Sequence, residues 1–412
     1  MKHTISELQQ WQGLPLNIKV AMTKQRIRDW VREFGLDGVY VSFSGGKDST
    51  VLLHIAREMY GDEIKAVFSD TGLEYPEIRR FVKGFDNVDW VRPKKSFKKV
   101  CEEHGFPIIS KEVSEKAYYA KRYFDWWLEH NHESEKTNIP TPYGIADLFG
   151  MHGEKGEAWD TLKKGDIPEE MLSEIFGMDS DAPAKAKILM GTYRHKEKGV
   201  PTNEASKMFD FSRWKFLVTS PFWVSHKCCG VMKKSPMDAY KRATGRLPIT
   251  AQMAEESRLR TSQWLRVGCN AYQSKKKVSN PMSFWTEQDV LLYIVTHDIE
   301  IASVYGDIVT DYEKMGQIEG QMSVFDFMGD AEQEKFAPDR EPLKTTECQR
   351  TGCVFCGFGC HLEKGESRFQ RLKRTHPKHY KAMANIKNNG INYFEAIDWI
   401  NEHNGKGEII RY

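Results

Sequence analysis

The run Ser44-Gly45-Gly46-Lys47-Asp48-Ser49 constrains this chain more than any other. It sits between Gly38-Val39-Tyr40-Val41-Ser42-Phe43, which reads as a short strand, and a segment from Thr50 to Tyr60. That segment places Val51, Leu52, Ile55, Ala56 and Met59 at helical spacing. A glycine turn between strand and helix lets backbone N–H groups approach a phosphate closely, and the helix N-terminus favours negative charge. The spacing differs from the common G-x-x-x-x-G-K-[ST] loop. Ser44 and Ser49 can donate hydroxyls to phosphate oxygens, and Lys47 is a point charge suited to the same anion. Asp48 reads either as a Mg²⁺ ligand or as a cap for the following helix.

Strand and helix alternate around this turn. Residues 17 to 34 predict a helix with Ile27, Trp30, Val31 and Phe34 on one face and Gly35 as its stop. Ile64 to Phe68 predicts a second strand ending at Ser69-Asp70-Thr71-Gly72, and Tyr75-Pro76-Glu77 opens a helix. Val88 to Val91 predicts a third strand, and Ser96 to His104 a helix closed by Gly105. Repeated units of this kind imply an α/β fold, a parallel sheet with helices on both faces and ligands at the carboxyl ends of its strands. We divide the chain into 1–115, a first part of the core; 116–215, a mostly helical insertion; 216–310, a continuation of the core; and 311–412, an acidic linker, a cysteine-rich segment and basic helices. In the insertion, Trp126, Trp127, Trp159 and Trp214 show no strand period, and Lys185 to Arg194 reads as a solvated basic face or a contact surface.

With 412 residues, the chain exceeds what one core usually serves. Its 60 basic and 58 acidic side chains leave no global polyanion-binding charge, so any such binding needs a local patch. No run of 18 apolar residues and no signal-peptide layout occurs, so we expect a cytoplasmic protein without membrane contact. Eight cysteines in such a chain point to metal or redox chemistry rather than to disulfides.

The glycine turn resembles the PP-loop of the N-type ATP pyrophosphatases, which split ATP between its α- and β-phosphates. Asp70-Thr71-Gly72-Leu73-Glu74-Tyr75-Pro76-Glu77 resembles a signature of the phosphoadenosine phosphosulfate (PAPS) reductase family. Ser110-Lys111-Glu112, Cys228-Cys229, Thr250-Ala251, Glu256-Ser257 with Arg260, Trp285 to Val290, and Cys353-x-x-Cys356 continue that resemblance over about residues 36–112 and 216–375. It implies an adenine-nucleotide α-hydrolase-like fold with an adenine nucleotide held by Ser44, Gly45, Gly46, Lys47, Asp48 and Ser49. It also implies contributions from Asp70, Thr71, Gly72 and Arg260. Lys47 and Asp48 are then the catalytic residues. A guanidinium such as that of Arg260 forks onto two oxygens of an anion, although an ion pair with Glu255 or Glu256 would use the same residue.

Four thiols, Cys348, Cys353, Cys356 and Cys360, crowd into thirteen residues. That density suits Zn²⁺ or an iron–sulfur cluster. The resemblance to adenylyl-sulfate reductases implies a [4Fe-4S] cluster on Cys228, Cys229, Cys353 and Cys356. The resemblance to DNA-phosphorothioation sulfurtransferases implies a compact set that includes Cys348 and Cys360. Cys269 stands in reserve, and Cys101, within a helical pattern, reads as a buried structural thiol.

Two departures from the sulfate reductases matter. The turn at Ser44 to Ser49 is intact where theirs is usually degraded, and no cysteine follows Cys360 where they carry their nucleophile in E-C-G-x-H. The expectation is therefore an ATP pyrophosphatase that adenylates a substrate during sulfur transfer, using ATP, Mg²⁺ and a [4Fe-4S] cluster or Zn²⁺. A cysteine desulfurase is an implied sulfur donor. The acceptor could be a nucleic acid, a nucleotide or a small metabolite; Arg368, Arg371, Lys373, Arg374, Lys378 and Lys381 form a basic helical face that meets a polyanion, the nucleotide phosphates or solvent. The alternatives are a thiol-dependent reductase of PAPS or adenylyl sulfate, and a non-catalytic nucleotide- and metal-binding subunit of a nucleic-acid modification or defence complex.

Overall fold

A computed structural model describes residues 2–130, 172, 182–194, 209–312 and 341–412. The chain forms two compact units, Met1–Pro93 with Ser235–Cys353, and Lys94–Lys234 with Val354–Tyr412.

The first unit opens with helices α1 (Ile5–Gln12) and α2 (Leu16–Phe34). Then β1 (Val39–Ser42), α3 (Lys47–Tyr60), β2 (Ala66–Ser69), α4 (Pro76–Lys83) and β3 (Val88–Val91) follow as the sequence pattern predicts. In α2, Ile27, Trp30 and Val31 are buried, and the N–H of Gly35 closes the helix on the Val31 carbonyl at 2.8 Å. The strands pair in parallel, β3 on β2 and β2 on β1, and β1 takes the later strand Leu247–Ile249 on its other side. Strand order thus reverses at β1, which places the ligand crevice of such a sheet beyond the carboxyl end of that strand. Pattern reading misses Leu247–Ile249 because it is three residues long with Pro248 at its centre. A proline without an N–H is tolerated at a sheet edge, and here its carbonyl accepts the Ser279 N–H at 3.0 Å.

One buried ion pair ties α2 to the helix Glu287–Thr296. Lys19 Nζ lies 2.5 Å from Asp289 Oδ2, with both side chains almost fully enclosed. The same Asp289 oxygen accepts the Thr286 N–H and hydroxyl, so it also caps its own helix. The end of the 216–310 stretch forms a strand, Ile308–Thr310, antiparallel to Leu343–Thr345. Residues 313–340 lie outside the described residues.

The second unit contains α5 (Phe97–His104), β4 (Ile108–Ile109) and α6 (Lys111–His130). Ser96 caps α5 through the Lys99 N–H, as expected of a serine at that position. At Gly105, φ is +94° and an added Cβ would lie 2.1 Å from the Trp223 carbonyl oxygen, so glycine is required there. β4 pairs in parallel with Gly357–Phe358. A hairpin, Lys387–Asn388 with Ile391–Asn392, turns through Asn389 and Gly390, both at positive φ. It delivers the helix Tyr393–His403, whose Tyr393, Ala396, Ile397 and Ile400 are fully buried. Of the 116–215 insertion, the described parts include the remainder of α6, the helix Ala184–Met190 and the 3-10 turn Ser212–Val218. Trp159 and the rest of 131–171, 173–181 and 195–208 lie outside the described residues. Among the described residues no helix is long and apolar enough to cross a membrane.

Candidate active site

The turn after β1 is built by short-range geometry. Gly45 has φ +70°, and a Cβ there would lie 2.7 Å from Val82 Cγ2 and 2.9 Å from Ile78 Cγ2. A side chain at this position would both strain the backbone and collide with α4. Gly46 precedes Lys47 at the start of α3 without a side-chain cap. The turn is closed by hydroxyls: Ser49 Oγ donates to the Gly46 carbonyl at 2.9 Å and accepts the Ser44 N–H at 3.1 Å. The Ser44 and Ser49 hydroxyls are 3.0 Å apart. Both are thus gathered beside the helix N-terminus, where they can be offered to an anion.

Lys47 is buried, with only 4% of its side chain exposed. Its ammonium lies 2.9 Å from Glu287 Oε1, donates to the Gln349 carbonyl at 2.8 Å and lies 3.9 Å from Asp48 Oδ1. Its backbone N–H donates to the Tyr305 hydroxyl at 3.1 Å, and that hydroxyl bonds Thr351 Oγ1 at 2.7 Å. Burial pushes the Tyr305 phenol pKa up, so it stays a neutral hydroxyl.

Asp48 occupies the first turn of α3 but does not cap it, which removes the capping alternative. Its side chain keeps 31% of its surface, yet its Oδ1 is buried without a hydrogen-bond partner. Burial raises its pKa, Lys47 opposes that, Glu287 adds to it, and Arg350 and Arg260 oppose it. Glu255 belongs to the same field: burial holds its carboxyl above the ordinary range, and the Glu287 N–H donates to its Oε1 at 2.6 Å. Three carboxylates and three cations therefore meet at the N-terminus of α3. An orphaned carboxylate oxygen beside a second carboxylate fits Mg²⁺, which takes one or two carboxylates and fills its shell with water and phosphate oxygens.

Arg260 follows the N-cap Ser257 in the helix Arg258–Val267 and pairs with Glu256. The ion-pair alternative for this residue is thus realised. Its guanidinium pKa is nevertheless lowered by burial and by Arg350 and raised by Asp48, so it also lies in the field of that carboxylate.

At the end of β2, Asp70 is 4% exposed, and its Oδ2 accepts from Arg79 Nη2 at 3.1 Å and Arg92 Nε at 3.0 Å. Thr71 folds back on Glu74, its N–H and hydroxyl donating at 3.0 and 2.7 Å, and Gly72 takes φ +75°. The Asp70-Thr71-Gly72 run thus organises a rigid turn and two arginines. Glu287, Glu255, Tyr305, Arg350, Arg79 and Arg92 were not singled out as site residues by sequence reasoning.

The cysteines divide. Cys269, Cys348 and Cys353 belong to the first unit; Cys101, Cys228, Cys229, Cys356 and Cys360 belong to the second. Cys228 and Cys229 end a short helix that runs into a π-turn, Gly230–Lys234. In the second unit the buried Tyr393 hydroxyl feels the thiols of Cys356, Cys101, Cys360 and Cys228, after burial itself has raised its pKa. Burial raises Cys356, while the Phe358 N–H and Arg368 lower it, Cys229 raises it and Lys233 lowers it. Cys360 is pushed up to about 12 by burial, and its thiol donates to the Gly357 carbonyl at 2.7 Å. Cys348 donates to the Arg350 carbonyl at 2.9 Å. Cys101 is fully buried, as its helical setting predicts, and its pKa is likewise raised by burial. Cys269 is also buried. Among the described residues no group of three or more His, Cys, Asp or Glu is placed so that it could hold a metal ion. The basic face of Arg368–Thr375 is partly neutralised: Arg368 pairs with Glu363, and Arg371 and Arg374 pair with Glu366.

A parallel sheet whose strand order reverses at a glycine turn, with hydroxyls, a lysine and a carboxylate at the following helix N-terminus, defines an α/β protein of the nucleotide-binding kind. The model of the phosphoadenosine phosphosulfate reductase domain matches residues 38–111 and 192–357, more than half of the chain. The chain belongs to that family, and its chemistry is the sulfur-related nucleotide chemistry of the family. The match covers the turn, the Asp70 run, Arg260 and the cysteines up to Cys356, but leaves out Cys360 and the basic helices. No curated protein matches the chain.

Proposed function

We propose that the protein is an ATP pyrophosphatase that adenylates a substrate in the course of sulfur transfer. The observation that carries this reading is the complete phosphate turn. Gly45 admits close approach, the Ser44 and Ser49 hydroxyls lie together, and Lys47, Asp48 and Glu287 meet at the start of α3. The β- and γ-phosphates lie along the helix N-terminus, and Lys47 turns from the Gln349 carbonyl to the charge that builds on the departing pyrophosphate. A substrate oxygen attacks the α-phosphorus, forming the P–O bond of the adenylate as the bond to pyrophosphate breaks. Mg²⁺ on Asp48, with Glu287 beside it, would supply charge neutralisation at the phosphate oxygens. Arg260, Arg79 and Arg92 are the guanidinium groups available to the rest of the nucleotide or to the acceptor.

The purified chain, given ATP, Mg²⁺, candidate acceptors and sulfide as the sulfur source, is expected to release pyrophosphate on adenylation and an equal amount of AMP as sulfide displaces it from the adenylate. Turnover of PAPS or adenylyl sulfate by a thiol, with no pyrophosphate from ATP, would replace this reading by the reductase. Tight nucleotide binding without either reaction would leave a non-catalytic subunit of a modification or defence complex.

A [4Fe-4S] cluster on Cys228, Cys229, Cys353 and Cys356, with Zn²⁺ as the alternative, belongs to the same proposal, and no step is derived through it. Its support is the family order of these cysteines and the electrostatic reach between Cys229 and Cys356. The Gly357 bond of the Cys360 thiol argues against that residue as a ligand. Anaerobically purified Cys356→Ser is expected to lose most bound iron, whereas Cys360→Ser keeps it. Metal analysis of both variants that shows equal iron, or zinc alone, would sink the assignment. A cysteine desulfurase as sulfur donor and a nucleic acid as acceptor remain proposals of the same reading.

A further inference from the structure

Residues 349–351, between Cys348 and Cys353, reach the phosphate turn from far along the chain. Their course is fixed by what precedes them. Beyond the ladder of Ile308–Thr310 with Leu343–Thr345, the Glu347 N–H donates to the Tyr305 carbonyl at 3.1 Å. The Cys348 N–H donates to the Val304 carbonyl at 3.2 Å, and the Cys348 thiol closes on the Arg350 carbonyl at 2.9 Å. These bonds lay 349–351 across the start of α3 as a strap. The Gln349 carbonyl accepts from the Lys47 ammonium at 2.8 Å, and the Thr351 hydroxyl meets that of Tyr305 at 2.7 Å. A Cβ on Gly46 would lie 3.2 Å from the Tyr305 hydroxyl and 3.4 Å from Thr351 Oγ1, so both hydroxyls stand against the turn.

The strap both competes with an anion and offers it a partner. The first N–H groups of a helix are the donors that a bound phosphate takes. In α3 the first is the Lys47 N–H, and it is spent on the Tyr305 hydroxyl at 3.1 Å. A backbone N–H is a single donor, so a phosphate oxygen that takes it must break this bond. Arg350 acts in the other direction. It is exposed and has no ion pair among the described residues. Its guanidinium lies in the field of Asp48, Glu255 and Arg260. Burial holds both of those carboxyls above their ordinary range, which weakens their hold on Arg350. A guanidinium forks onto phosphate oxygens, and its neighbours on either side already touch Lys47 or the hydroxyl that Lys47 bonds.

We propose that residues 349–351 and Tyr305 are a strap of the phosphate site. Polyphosphate displaces the Tyr305 hydroxyl from the Lys47 N–H, and Arg350 takes hold of the phosphate oxygens in exchange. Adjacent residues of one segment thus act with opposite sign, Tyr305 against the ligand and Arg350 for it. The proposal rests on the reading of Ser44 to Ser49 as a phosphate turn, but not on adenylation.

Calorimetry of the full chain with Mg²⁺ and inorganic tripolyphosphate tests it. This probe carries the phosphates without a base or an acceptor, so binding is separated from turnover. Tyr305→Phe keeps the buried ring and removes the competing hydroxyl. It is expected to tighten binding about tenfold, the worth of one hydrogen bond that the free protein no longer has to give up. Arg350→Gln changes an exposed side chain and is expected to weaken binding at least tenfold, the scale of a lost hydrogen bond between charged groups. A strap with only a structural role would lose affinity in both variants. Unchanged or weaker binding in Tyr305→Phe, or unchanged binding in Arg350→Gln, would overturn the proposal. Absence of tripolyphosphate binding by the parent chain would overturn it together with the phosphate reading of the turn. The expected shifts without pyrophosphate release from ATP would uphold the strap and remove adenylation alone.

Discussion

Lys47→Met is expected to reduce pyrophosphate release from ATP by about 10²- to 10³-fold, the usual cost of removing one preorganised charge from the developing anion. The substitution keeps most of the apolar stem and removes the ammonium, which lies 5.7 Å from the Tyr305 ring centroid, so the loss is mainly one of charge. The ammonium is held 2.9 Å from Glu287 and on the Gln349 carbonyl before any ligand arrives, which means its position is set in advance. Because Lys47 acts on the departing pyrophosphate, the fall should appear mainly in kcat, with KM for ATP changing much less. Steady-state kinetics read this directly. A large rise in KM with kcat preserved would show that Lys47 binds the ground state and does not assist departure.

The second large effect concerns stability. Lys19→Met is expected to cost about 3–5 kcal/mol, the range for stranding one member of a buried ion pair. Lys19 also donates to the Gln12 carbonyl at 2.5 Å, so the substitution strands a carboxylate and a carbonyl together. Asp289 cannot simply turn to water, because it is buried and its Oδ2 is already bound to Thr286. The double variant Lys19→Met with Asp289→Leu should recover part of the loss, since it removes the stranded charge, but not all of it. The capping box of Glu287–Thr296 goes with Asp289, and a cap is worth about 1 kcal/mol. Denaturant melts of the two variants separate these contributions. Equal stability of Lys19→Met and the parent would show that the pair adds nothing.

The two effects are connected through one helix. Glu287 and Asp289 stand two residues apart at the start of Glu287–Thr296; the first pairs with Lys47 in the phosphate turn and the second with Lys19 in α2. The buried pair helps to set the position of the helix, and the helix in turn presents Glu287 to the site. Lys19→Met is therefore expected to impair activity at temperatures where the protein is still folded.

Much of this was legible in the residues in order. The turn at Ser44 to Ser49, the strands on either side and the stop at Gly35 follow from rules that operate over a few residues: apolar period, glycine at positive φ, and hydroxyls that close on nearby backbone. Gly45 is the clearest case, because only its neighbours in the chain were needed to mark it, and α4 then explains why no side chain fits. The cysteine pairs and the Asp70-Thr71-Gly72 run were visible in the same way. Thiol density marked the first as chemistry and the family resemblance marked the second, though neither named partners for particular groups.

Other features depend on residues brought together from afar. Glu287 reaches Lys47 across 240 positions, and Gln349, Thr351 and Tyr305 arrive across more than 250. No periodicity records such a meeting, because a glutamate at the first turn of a helix looks the same whether it faces solvent or a buried lysine. Asp48 shows the limit most sharply: the sequence left it between metal ligand and helix cap, and only the folded chain shows an uncapped helix and an orphaned oxygen. The sequence by itself determined the class of fold and the phosphate turn, since both arise from local backbone preferences. The tertiary structure alone decided which charges surround that turn, because electrostatic partners are chosen by distance in space and not along the chain.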